Sequence, residues 1–300
     1  MAQTINPALI IKASAFRGCL FMLASTVFFA VMHALVRYIS AEIHPFEVTF
    51  FRNLFGLVAL FPWFVVQGLA PLRTRRIGLH FARAGTNVVA MLMFFMALSL
   101  SPMVQVQSLA FTAPLFTTVL AAVFLRETVR MRRWMATLAG FIGAMIIIRP
   151  GVQPVDTGAL LTLASAMVWA FTMIFIKQLS RTDSAITITA YMVIMMTPMS
   201  LAVAVFFWTW PTMAQLGWLA ACGITGTLAQ FLMAQAFRIA DTSVVLPLDF
   251  MKVVWGATIA WFWFDEAVDL WTWAGAIVIF SGATYIAFRE RHAEGDKRGG

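Results

Sequence analysis

The sequence predicts an all-α membrane protein of ten transmembrane helices, built from two inverted five-helix repeats. Three observations carry that prediction. The first is composition: 61% of the 300 residues are hydrophobic and 11% charged, where a soluble domain has ~45–50% and ~25%. No globular core could hide so much apolar surface, so lipid is the solvent for most of the chain. The second is segmentation. Ten apolar stretches lie near 17–36, 47–67, 79–98, 103–125, 134–149, 157–177, 186–208, 213–237, 243–264 and 270–288, lengths that suit spans at ~1.5 Å rise per residue. The third is internal repetition, sought first because missing a repeat misassigns the whole fold. At a shift of 139, Val106 matches Val245, Phe111 Phe250, Ala121 Ala260, Glu127 Glu266, Trp134 Trp273, Phe141 Phe280 and Gly143 Gly282. At 140, Gly18 matches Gly158, Leu23-Ala24-Ser25 matches Leu163-Ala164-Ser165, and Ala30 matches Ala170. Chance accounts for Ala, Leu and Val in so apolar a chain. It accounts less well for a Glu, a Trp and a Gly in register.

Taken in order, the segments are separated by Pro, Gly or charge: His44-Pro45, Gly68 to Arg76, Ser101-Pro102, Arg149-Pro150-Gly151 and Trp210-Pro211. The repeats therefore divide the chain at 1–150 and 151–300, the second ending in a short basic tail. The organising stretch runs from Val104 to Arg149 and contains the basic turn Arg126 to Arg133. The net charge of +8 lies between segments, as expected of bases that orient helices and not of a nucleic-acid surface. Seventeen of the 21 Lys and Arg fall on one side, and only Arg37 and Arg149 on the other; Arg52 and Lys252 lie within spans. Basic loops stay in the cytoplasm, so both termini are expected there, in a multi-pass protein of the cell (inner) membrane. Trp208, Trp210, Trp218, Trp263, Trp271 and Trp273 flank the base-poor loops, as an outer aromatic belt does. Lys12 and Arg17 before the first segment imitate a signal peptide, but the apolar run is too long and no small-residue cleavage site ends it. Cys19 and Cys222 sit within apolar segments and offer neither a disulfide framework nor a metal site.

Five spans per half make each half enter the membrane from the opposite side. Two nearly equal inverted halves have two nearly equal conformations, the usual build of alternating-access carriers. The chain also resembles the EamA-type ten-helix group of the drug/metabolite transporter superfamily. The resemblance rests on Phe46-Glu47-Val48-Thr49-Phe50-Phe51-Arg52-Asn53 with Gly56 and Pro62, on Ala113-Pro114-Leu115-Phe116, Phe124-Leu125-Arg126-Glu127, Gly140-Phe141-Ile142-Gly143 and Arg149-Pro150, and on Phe264-Asp265-Glu266 and Trp273-Ala274-Gly275. It covers Gly18 to Phe288. It implies a carrier of a small organic metabolite whose cavity, near the bilayer midplane, is walled mainly by segments 1, 3, 4, 6, 8 and 9. Members handle many cargos; the appearance leans to S-adenosylmethionine-like or riboflavin-like compounds, with amino acids beside them. Proton or counter-substrate coupling and a homodimer are left open as partners.

Charges at the bilayer centre cost ~2.5–3.5 kcal/mol each on insertion scales, so polar residues within spans are the site candidates. Arg52 lies about 8 Å into segment 2, either as a clamp for an anion or as a side chain snorkelling outward. Glu47, about 140° away around the helix, is a poor partner for it. Asp249 and Lys252 share one face of segment 9 at i,i+3, as an ion pair or as a substrate contact. Ser101, Gln105, Ser108 and Thr112 make a polar stripe on segment 4, which faces protein or a wet cavity. His80, Arg83, Asn87 and Met91 form another on segment 3. His33 with Ser25, Trp169 with Ser165, and Gln230 with Thr227 complete the candidates on segments 1, 6 and 8. Packing competes with cargo contact for His33 and Trp169, and the 19 methionines are expected mainly as packing fillers. Gly140, Gly143, Gly275 and Gly282 are expected at close helix contacts. No His-Glu-x-x-His run, Gly-x-Ser-x-Gly or intramembrane Asp pair occurs, so a membrane-embedded enzyme, a metal or a cofactor is not expected. A passive facilitator or channel stays as the alternative.

Overall fold

The computed structural model describes residues 7–68, 74–124, 131–149, 156–179, 182–183, 185–239 and 246–296. Among these are eleven α-helices and no strand: α1 (Pro7–Ile39), α2 (Pro45–Gln67), α3 (Ile77–Leu100), α4 (Met103–Ala110), α5 (Ala113–Phe124), α6 (Met131–Ile148), α7 (Thr157–Leu179), α8 (Ala185–Ala204), α9 (Met213–Ile239), α10 (Met251–Phe264) and α11 (Leu270–Asp296). Among the described residues, six stretches combine length and apolarity enough to cross a membrane, while Thr137–Ile148 and Leu270–Gly282 are shorter apolar runs. Residues 125–130 of the basic turn and the tail from 297 lie outside the described residues.

Ten segments are therefore ten helical spans, with two corrections. Segment 4 is not one helix: α4 and α5 part at Phe111-Thr112. Pro114 has no N–H with which to carry the ladder across, and the Thr112 hydroxyl turns back to the Leu109 carbonyl at 2.7 Å. Segment 9 opens as a 3₁₀ turn, Leu246–Phe250, before α10 begins. The break in segment 4 and the 3₁₀-to-α junction in segment 9, together the two breaks in regular helix, occupy equivalent places in the two halves, and Phe111 and Phe250, matched at the shift of 139, meet there with ring centroids 5.6 Å apart. The outermost helices also run past their apolar segments, α1 back to Pro7 and α11 on to Asp296. Good helix formers such as Ala, Leu, Lys and Glu extend a helix where hydropathy has already faded.

The packing exchanges under the repeat. α1 lies along α9, and α3 along α7, which is the same pairing with the halves swapped. Ser25 donates to the Ala229 carbonyl at 2.8 Å, and its counterpart Ser165 donates to the Ala90 carbonyl at 2.7 Å. These two serines tie helices together, and cargo contact is not needed to explain them. α2 packs on α8 and α6 on α11, each against its own counterpart. The α6–α11 crossing is close: a Cβ on Gly143 would stand 2.8 Å from the Gly275 carbonyl oxygen, and small residues are what permit such an approach. The main helix contacts run between halves, so the repeats interleave. Large apolar side chains such as Phe61, Phe206, Phe262 and Leu270 remain exposed, as lipid-facing residues do. Trp210, Trp218, Trp263 and Trp271 are exposed near the helix ends.

Candidate functional site

The two breaks bring a polar and aromatic group together where α1, α3, α4 and α10 converge. Gln107 of α4 reaches His33 of α1, with Gln107 Nε2 3.1 Å from His33 Nδ1. Room for Gln107 comes from Gly256 on α10, where a Cβ would collide with the Gln107 amide oxygen. Phe94 of α3 meets the His33 ring edge-on at 5.1 Å. From α10, Lys252 places Nζ 4.7 Å from the Phe29 ring centre and 5.7 Å from that of Phe111. The same Nζ lies 2.6 Å from Asp249 Oδ1, although that oxygen makes no well-angled hydrogen bond among the described residues. The contact is electrostatic and leaves the carboxylate with directional bonds still to make. Trp255, one helical turn beyond, donates from Nε1 to the Thr26 hydroxyl at 3.2 Å. A caged ammonium, a carboxylate, an amide–imidazole pair and flat rings thus share one layer. Its chemistry combines aromatic faces with a cation and a carboxylate.

The other sequence candidates stand around this layer. Arg52 is buried on α2 and donates to Asn53 Oδ1 at 3.0 Å. Glu47 bonds Thr209 instead, through both its N–H and its hydroxyl. Asn87 is buried on α3, while Gln105, Trp169 and Gln230 are half-buried on α4, α7 and α9. Among the described residues no hydrogen bond joins these four to the His33–Gln107 group. Ser108 is fully buried and its hydroxyl has no partner among the described residues. Thr112 spends its hydroxyl on the Leu109 carbonyl at the end of α4. Of the stripe, Ser101 belongs elsewhere: it donates to Asp156, which caps α7 by accepting from Ala159 N at 3.2 Å.

Two polar clusters close the ends of the bundle. At one end, Arg37 pairs with Glu266 and donates to the Leu98 carbonyl at 3.1 Å and to that of Ser101. Glu266 also accepts from Met103 N, at 3.3 Å. Asp265, left-handed at φ 52°, ends α10 and turns the chain toward that contact; Asp is among the few non-glycine residues that take such angles readily. Arg149 pairs with Asp269 at 2.5 Å nearby. At the other end, His80 and Thr74 each lie 2.7 Å from Asp183 Oδ2. The Thr74 hydroxyl, with help from His80, holds the Asp183 carboxyl below the usual carboxylate range. Arg83, one turn further along the same stripe of α3, is buried and donates to the Ile188 carbonyl at 2.8 Å.

The sequence family comparison matches this architecture twice, over residues 16–149 and 156–288, to the EamA-like transporter family. The chain belongs to that family. Like its relatives, this multi-pass membrane protein is a transporter of small molecules and not an enzyme. It is 32% identical over 282 residues to a riboflavin transporter of Vibrio cholerae, covering 92% of this chain and 94% of the other. It is 30% identical over 280 residues to an S-adenosylmethionine uptake transporter of Rickettsia bellii, covering 93% and 96%. A pseudopaline exporter of Pseudomonas aeruginosa is 25% identical, over 87% and 93%. A solved crystal structure superposes with a TM-score of 0.63 at 16% identity, over 92% of this chain and 98% of the other, a likeness of fold.

The members of the central layer that sequence reasoning missed are Gln107, Phe29, Phe94, Phe111, Phe250 and Trp255. Gln107 lies off the stripe that periodicity picks out. Phe111 and Phe250 were visible as a matched pair, and their place beside two helix-breaking prolines was the available signal.

Proposed function

We propose that this transporter moves a metabolite with a flat nitrogen-containing ring and a polar end across the cell (inner) membrane by alternating access. The supporting observation is the caged Lys252 between Phe29 and Phe111, at the paired breaks of segments 4 and 9. Departures from regular α-helix in corresponding places of two repeats are where carriers hold cargo. Two relatives are named for riboflavin and S-adenosylmethionine, both of which carry flat heterocycles. The test is uptake by proteoliposomes of purified protein, offered S-adenosylmethionine, riboflavin and a set of amino acids separately. Uptake of at least one ring compound should saturate and should accelerate several-fold when the vesicles are preloaded with it. Linear flux without counterflow points to the passive facilitator instead. Repeating the assay with an imposed pH gradient identifies proton coupling.

The same reading places both termini in the cytoplasm, because the bases crowd one side of the chain. In a background with Cys19 and Cys222 replaced, a membrane-impermeant maleimide added to whole cells should label Asp265→Cys and leave Arg130→Cys untouched. Labelling of Arg130→Cys from outside reverses the orientation.

A further inference from the structure

We infer that Arg52 forms an anion subsite of the cargo cavity, and that the cargo therefore carries a carboxylate. The inference rests on the proposed carriage of a flat metabolite and adds its charge. Arg52 is 6% exposed. Its guanidinium does not turn back toward the start of α2. It lies against Gly226, halfway along α9: a Cβ there would stand 3.0 Å from Arg52 Nε and 3.2 Å from Nη2. Phe50 and Phe51, nearer the start of α2, pack on Trp208 at 5.8 and 5.5 Å. The end toward which a snorkelling arginine would reach is thus filled with rings.

The donors are under-used. A guanidinium has five N–H groups. One goes to Asn53 Oδ1, and Asn53 is itself positioned by Ser200, 3.3 Å from its amide nitrogen. Nε is buried without a partner, and no carboxylate pairs with Arg52 among the described residues. A buried charge is ordinarily paired, and a forked guanidinium is shaped to receive a carboxylate through two parallel bonds. The subsite adjoins the central layer: Met32, whose sulfur shares the Gly226 contact, precedes His33 on α1. A cargo with a flat ring among the phenylalanines and a carboxylate on Arg52 satisfies both ends.

The test is equilibrium binding to the purified protein in chloride- and phosphate-free buffer with three probes that share one ring: S-adenosylhomocysteine, its carboxyl methyl ester, and adenosine. Wild type should bind the acid at least about ten-fold tighter than the ester. Arg52→Gln should bind acid and ester alike, and Arg52→Lys should keep part of the preference. Equal binding of acid and ester by wild type overturns the inference, as does a preference that survives in Arg52→Gln. The wild-type comparison and Arg52→Lys decide the matter should Arg52→Gln fail to fold. Adenosine bound without any preference for the acid refutes the carboxylate subsite alone. Failure of all three probes to bind overturns the inference, while the uptake of riboflavin still decides the flat-ring reading.

Discussion

Asp249→Asn and Lys252→Met should each cut the amount of folded protein several-fold, while the double change should return it to near the wild-type level. A single ionised group within a span costs ~2.5–3.5 kcal/mol on insertion scales. In the native protein each charge is offset by the other across 2.6 Å. Removing one strands its partner, and that costs more than removing both. Lys252 has a second support in the faces of Phe29 and Phe111, so Asp249→Asn should be the milder single change. Abundance, read by size-exclusion chromatography of a fluorescent fusion, tests the pairing alone. Transport tests the site. With Lys252 at the paired breaks, the double variant should be abundant yet keep less than about a tenth of wild-type uptake. Recovery of abundance and transport together makes the pair structural only. Normal abundance in both single variants contradicts the pairing itself.

How much of this was legible in the sequence follows from the range of each interaction. Burial in lipid is written residue by residue, so the spans could be found by counting. The repeat is written in register, which is why Ser25 and Ser165 were visible as equivalents before their bonds to Ala229 and Ala90 were known. Asp249 and Lys252 are three residues apart on one helix, and their pairing followed from the pitch. Glu266 was prominent as the counterpart of Glu127, yet its partner Arg37 lies 229 residues away, and no periodicity reports such a distance. Gln107 failed for a different reason. The stripe Ser101–Gln105–Ser108–Thr112 presumes an unbroken helix and a single face. The break at Phe111-Thr112 and the space at Gly256 make the residue off that stripe the one that crosses to His33. Arg52 left two readings open because depth alone does not say which way a long side chain turns. Gly226 and the rings at Trp208 give the direction of the side chain, along α9 and away from the start of α2, and the binding comparison of acid and ester tests the anion reading.

Glu266→Gln should open the end of the bundle that Arg37 now holds. Arg37 joins the last turn of α1 to the carbonyls at the end of α3, and Glu266 joins the same arginine to the first N–H of α4. One carboxylate thus ties four pieces of chain that alternating access would need to part. Hydrogen bonds to charged groups contribute ~1.5–3 kcal/mol, and two states that differ by a few kcal/mol are rebalanced by losing one. Met103, fully buried beneath the contact and bonded through its N–H to Glu266, reports the opening. In a background with Cys19 and Cys222 replaced, Met103→Cys should react slowly with an impermeant maleimide applied to whole cells. With Glu266→Gln or Arg37→Gln added, it should react about ten-fold faster, a shift of ~1.4 kcal/mol. Uptake should fall, because a carrier biased toward one state cycles slowly. The charge-swapped pair Arg37→Glu with Glu266→Arg should recover part of the protection, since the ion pair reforms while the arginine bonds to the α3 carbonyls do not. Labelling at the wild-type rate in both single variants shows that the cluster is a fixed cap and that the cargo path opens elsewhere.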